Sequence, residues 1–100
     1  MADGISVRSG TLDDSTASTN GLRIAAGDVS VSIDPSSVSG TITLQWSEDN
    51  STWKDVETWS SPSADVTDVV TTGGGYLRFT SSISSGSANV VIAQDANVGL

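Results

Sequence analysis

Apolar and polar side chains alternate along most of the chain with a period of two, the pattern of strands that bury one face and wet the other. The clearest run is 41–56, TITLQWSEDNSTWKDV. Ile42, Leu44 and Trp46 fall on one face of it, and Thr43 and Gln45 on the other. Ser47, Glu48, Asp49, Asn50 and Ser51 then supply short polar side chains that bond to nearby backbone and tolerate tight turns, and Trp53 restarts the apolar signal. This predicts a hairpin with a tryptophan on each side of its loop.

The same grammar extends in both directions. Leu22, Ile24 and Ala26 alternate, Gly27-Asp28 offers a turn, and Val29, Val31 and Ile33 alternate again, a second hairpin pattern. Asp34-Pro35-Ser36-Ser37 ends that strand, because proline has no N–H to give a ladder, and Ser39-Gly40 leads into the central strand. Trp53, Val56 and Trp59 are three apart, so they cannot share one face of a regular strand; either a bulge intervenes or one tryptophan is exposed. Ser60-Ser61-Pro62-Ser63 reads as a loop and Val66 to Val70 as a strand, followed by a flexible turn from Thr71 to Gly75. Tyr76 to Thr80 carries Leu77 and Phe79 on one face; Ser81 to Ser87 turns back, and Ala88 to Ala93 makes the last strand. No segment has a helical stripe. Seven or eight short strands at spacings of roughly ten residues predict an all-β antiparallel β-sandwich or jelly-roll-like domain. Its expected core is Ile42, Leu44, Trp46, Leu77, Phe79, Val90 and Ile92.

Three regions follow from the pattern: an N-terminal arm at 1–21, a sandwich domain at 22–93 and a polar C-terminal tail at 94–100. Within the arm, Ser9 to Asn20 has Leu12 as its only large apolar side chain, too little to offset its own ordering entropy. It is expected to order only against a neighbour. Ile5, Val7, Leu12 and Leu22 are spaced so that an extended arm adds a strand to another subunit's sheet edge, and about twenty residues span roughly 60–70 Å. A homo-oligomer, or docking on a larger protein lattice, is the expectation.

Composition narrows the chemistry. One hundred residues make one domain, and with 36% hydrophobic residues, one Phe and one Tyr, the three tryptophans must carry much of the burial. Four cations against twelve carboxylates give a net charge of -8, which repels phosphate backbones and anionic lipid, so neither nucleic acid nor a membrane is an expected partner. No apolar run approaches the roughly 18 residues of a span, and residues 1–20 lack a signal-peptide pattern, which predicts a soluble protein made in a cytoplasm. Without His or Cys, the common bases, thiol nucleophiles and zinc sites are missing. Asp13-Asp14, Glu48-Asp49 and the Asp65/Asp68 pair sit in or beside predicted loops and read as solvated turn residues. Gly73-Gly74-Gly75 is followed by Tyr76 rather than by Lys and Ser or Thr, so it is no phosphate loop. Glu48, Asp49 and Asn50 offer oxygens without EF-hand spacing. A non-enzymatic protein with no metal and no cofactor is expected.

Recognition falls to the tryptophans. Trp53 and Trp59 flank loops, with Asp49 and Asn50 beside them, and their indoles either stack on a ligand such as a sugar ring or pack inward, Trp53 pairing with Trp46. Arg78 is expected on a sheet face, paired with an Asp or Glu.

Leu44-Gln45-Trp46-Ser47-Glu48-Asp49, then Trp53-Lys54-Asp55-Val56, then Tyr76-Leu77-Arg78-Phe79 and a Ser/Gly turn before Val90-Val91-Ile92, is similar to a pattern in small β-sandwich virion proteins of tailed bacteriophages. The resemblance covers residues 41–93. It implies a structural protein that decorates or cements a capsid, or sits on a tail, with a major capsid protein or other virion protein as partner. The implied location is the virion, after synthesis in a host cytoplasm. By analogy with local threefold axes it implies a trimer, although no residue selects three over two or six. The same strand, turn and tryptophan recur in discoidin-like and other carbohydrate-binding sandwiches, which keeps a sugar-binding module on a virion tail or cell surface as the alternative.

Overall fold

The computed structural model describes residues 5–95 and the side chains between Val7 and Gln94. The described residues form four strands, β1 (Ile5–Leu12), β2 (Leu22–Ser47), β3 (Trp53–Ser60) and β4 (Val66–Asp95), hydrogen-bonded in the antiparallel order β1-β4-β2-β3. Two of these are very long. Leu22 to Ile33 pairs with Leu77 back to Val66, whereas Ser30 to Ser47 pairs with Ala93 back to Tyr76. Residues 66–77 thus form a first limb of β4 and 76–93 a second limb, and Ser30 to Ile33 has one limb on each side.

Fewer and longer strands replace the seven or eight short ones because several predicted turns are bends within continuous strands. Gly27-Asp28, Asp34-Pro35, Ser39-Gly40, Gly73–Gly75 and Ser81–Ser87 all stay in the ladders. Gly40 shows why. Its φ is +135°, and a Cβ there would run into the carbonyl of Ser82 and lie 2.8 Å from the Ile83 Cα. Only glycine lets β2 swing at this point while staying pressed against β4.

The folded-over sheet closes on one core. Ile42, Leu44, Leu77, Phe79, Val90 and Ile92 are buried as alternation predicts, joined by Val29, Val31, Ile33 and Ile83 from the same two strands. Trp46 departs from the prediction: it is half-buried and packs against the rim of the core. Its indole N–H needs an acceptor and finds the Gly74 carbonyl at 2.6 Å, which draws the ring toward the first limb of β4. Between Trp53 and Trp59 a bulge does intervene, since Leu44 pairs with Glu57 and Gln45 with Asp55, leaving Val56 extra.

The arm also differs from its prediction. Ile5–Leu12 pairs with Asp95 back to Ala88 of its own chain, and Leu12 is fully buried. Leu22 lies at the margin of the same core and Val7 is half exposed; the side chain of Ile5 lies outside the described ones. Residues 13–21 are irregular but tethered, because Thr19 N–H donates to the Phe79 carbonyl (2.9 Å) and Ser81 N–H to the Ala17 carbonyl (2.7 Å). A free edge on the second limb of β4 supplies within the chain what the arm was expected to seek in a neighbour. Of the predicted tail, Gln94 and Asp95 end β4 and 96–100 lie outside the described residues.

Candidate functional site

Open strand edges among the described residues include the outer edge of β1, which pairs only with β4, and two that border one cleft. β3 pairs only with β2, and the first limb of β4 pairs only with β2 on its other side. They border a cleft of about 300 Å³ lined by Trp46, Lys54, Val56, Val70, Thr71, Thr72, Gly73 and Leu77. A second recess of about 340 Å³ adjoins it, lined by Trp46, Glu48, Asp49, Thr52 and Lys54. Trp46 and Lys54 face each other across the hairpin and border both recesses. One side is mostly apolar and the other polar, with an indole and an amine at the junction.

The loop beside this junction is built around Asp49. Its Oδ1 accepts hydrogen bonds from the Ser47 hydroxyl (3.0 Å) and from the N–H groups of Ser51 (3.0 Å) and Thr52 (2.9 Å). The Thr52 N–H, then the Ser47 hydroxyl and the Ser51 N–H, hold the Asp49 carboxyl below its ordinary value. Asn50 sits in the left-handed region at φ +62°, where Asn is tolerated, and its side chain abuts Gly21. Both residues, expected as ligand contacts, shape the loop. The stabilisation from a depressed carboxylate is present above its unfolded value and is lost as pH falls through the folded value. Asp49→Ala should therefore lower the melting temperature at pH 7, with the deficit shrinking on acidification; an equal deficit at pH 7 and pH 2.5 would assign the loss to something other than the ionised carboxylate.

Of the other predicted contacts, Trp53 lies beneath Arg78, whose guanidinium carbon is 4.2 Å from the ring centroid. Arg78 Nε donates to Gln45 Oε1 at 2.8 Å, and Gln45 Nε2 donates to Asp55 at 2.9 Å. The expected carboxylate partner of Arg78 is thus an amide and an indole face, with Asp55 one link away. Trp59 is half-buried, tilted against Phe79 with centroids 6.2 Å apart. Neither ring lines the cleft.

The cleft residues come from three strands, so no local stretch of sequence marks them as a group. The hairpin register, counted outward from the loop, would have set Lys54 opposite Trp46; nothing local points to Glu57 and Asp68. These two carboxyls meet across the opening between β3 and the first limb of β4, and removal from water, followed by the hydrogen bond and charge of Asp68, pushes Glu57 above its ordinary value. A raised carboxyl contributes stability that is complete below the unfolded value and lost as pH rises through the folded one. Glu57→Gln should accordingly raise the melting temperature at pH 7.5 and have little effect at pH 4; a drop at pH 7.5 would contradict the repulsion. Among the described residues no three of His, Cys, Asp and Glu come together as a metal set.

No family model matches the chain, and no curated protein matches it. Solved structures do. A point mutant of a family 29 carbohydrate-binding module, studied for its ligand recognition, aligns with a TM-score of 0.55 and 10% identity over 90% of this chain. The chain spans 66% of that module's length. A second mutant of a family 29 module gives 0.54 and 10% identity over 88% of this chain and 70% of that one. The C-terminal domain of A223, a structural protein of Sulfolobus turreted icosahedral virus, aligns at 0.49 with 18% identity over 92% and 99% of the two chains. The first two likenesses establish the fold: this chain is an all-β sandwich.

Proposed function

We propose that this protein is a non-enzymatic structural subunit of a phage virion, held on the capsid or tail surface by protein–protein contacts and assembled there as a homo-oligomer. The observation that carries the reading is the open side of the sandwich. Two unpaired strand edges flank a mostly apolar cleft; half-exposed Val56 lines it from β3, and half-exposed Val69 stands on the open β4 edge next to the lining residue Val70. Unpaired edges beside apolar side chains are surfaces on which protein partners seat. The acidic exterior keeps such a subunit soluble before it docks. In cosedimentation with particles that lack the protein, the Val56→Lys, Val69→Lys double variant should bind at least tenfold more weakly than the parent. Unchanged binding would remove the open side from the reading.

A specific observation favours a second reading, a carbohydrate-binding module. The fold is shared with family 29 modules, and Trp46 and Lys54 stand between an apolar and a polar recess, the mixture that a sugar with one apolar face requires. A glycan array separates the two. Hits abolished by Trp46→Ala in a folded protein support the module, and a blank array supports the virion subunit.

A further inference from the structure

The open side carries acid as well as apolar surface. On β2, Leu44 and Trp46 are two residues apart and are paired with Glu57 and Lys54; on β4, Asp68 and Val70 are likewise two apart. Positions two apart share a strand face and lie about 7 Å from each other. The opening thus presents an apolar station, Trp46, Val56, Val70 and Leu77, and next to it an acidic station, Glu57 with Asp68. The acidic station is ill-matched, since two carboxyls meet there and Glu57 is penalised for its charge. Asp55, its neighbour on β3, is held by Gln45, and Lys54 borders the apolar station.

We infer that the open side seats an extended segment of a partner protein carrying an apolar side chain and, two residues along, a Lys or Arg. The inference rests on the docking reading above and names the partner's chemistry. The cation enters between Glu57 and Asp68 and relieves their repulsion, while the apolar side chain fills the cleft beside Trp46. Main-chain bonds form along Val66 to Val70, whose pairing with β2 has no extra residue on the β4 side. The edge of β3 is guarded by the bulge at Val56 and by Lys54. A second copy of this chain does not fit. Edge against edge, it would set Asp55, Glu57, Asp65 and Asp68 against their own kind, and like charges across strands destabilise. Its one apolar-x-cation segment, Tyr76-Leu77-Arg78, is already paired, Leu77 with both Leu22 and Trp46.

The probe is a synthetic peptide, Ser-Thr-Val-Thr-Lys-Thr-Ser-Thr, titrated into the 15N-labelled full chain. Amide shifts should concentrate in 53–60 and 66–73, and the apparent Kd should rise with salt. The Glu57→Gln, Asp68→Asn double variant should bind at least tenfold more weakly while melting no lower than the parent. A control peptide with Glu in place of Lys should give no shifts. Shifts elsewhere on the sandwich, equal binding of the control, or full binding by the double variant would each overturn the inference. Particle cosedimentation distinguishes the levels: loss with Val56→Lys, Val69→Lys but full binding by the carboxyl double variant defeats the basic partner and leaves the docking surface. Full binding by both defeats the two together.

Discussion

Phe79→Ala should destabilise the protein by about 3–5 kcal/mol, the range for deleting a buried aromatic. Phe79 is completely buried on the second limb of β4 and lies against Trp59. It also anchors the irregular 13–21 passage, because its N–H donates to the Thr19 hydroxyl at 3.0 Å and its carbonyl accepts the Thr19 N–H. Truncation leaves a cavity under Trp59 and loosens the platform on which that passage rests. Domains are stable by only about 5–15 kcal/mol, so this one change takes a large share. Urea unfolding should show a lower midpoint at unchanged slope, with Trp59 emission shifted to the red. Trp46→Ala is the comparison. Half-buried at the rim, it should cost about 1–3 kcal/mol, from lost apolar contact and a Gly74 carbonyl returned to water. A reversal of this order would place Trp46 in the core after all.

Gly75→Ala should be nearly as damaging, by about 2–5 kcal/mol, combining an unfavourable backbone with overpacking. Gly75 has φ +92°, and a Cβ there would lie 2.5 Å from the Ser47 carbonyl oxygen and 2.8 Å from the Trp46 indole nitrogen. The carbonyl belongs to a ladder and cannot retreat. The indole would lose its hold on Gly74, so tryptophan emission should change along with stability. Gly73→Ala provides the control two residues away, where an added Cβ meets nothing within 4 Å; it should stay within about 0.5 kcal/mol of the parent. Equal effects at 73 and 75 would contradict the close packing at Trp46.

Alternation made the class and most of the core legible. A side chain's face depends on its neighbours two residues away, so Ile42, Leu44, Leu77, Phe79, Val90 and Ile92 could be read locally and are buried. Strand continuity could not be read, because the residues that reverse a chain at a turn are those that let a strand bend between layers. Ser37 at φ +54° and Gly40 at +135° look like turn residues and serve inside β2. Nor could the destination of Ile5–Leu12 be read, since an alternating run states that it needs an edge without saying whose. The cleft was hidden for a related reason: Trp46, Val56 and Val70 meet through pairing, and pairing is not a local property.

The ladders also set the order in which the molecule can be made. Among the described residues, β2 and β3 are the only paired strands adjacent in sequence, joined across the short Asp49 loop, and such a hairpin closes in about 1–10 μs. Every other ladder is remote. Ser47 meets Tyr76, Ser30 meets Ala93, and Leu12 waits for Ala88. Loop-closure entropy must be spent before such contacts return anything, which puts a β-sandwich in the millisecond-to-second range of folding. Ser30 to Ile33 is the bottleneck, because it must capture both limbs of β4 in register, and a slip by one residue on either side turns Val31 and Ile33 outward. Until that happens the hairpin stands with its apolar face uncovered, and the synthesising cell holds a half-made sheet whose safest companion is its own C-terminal half.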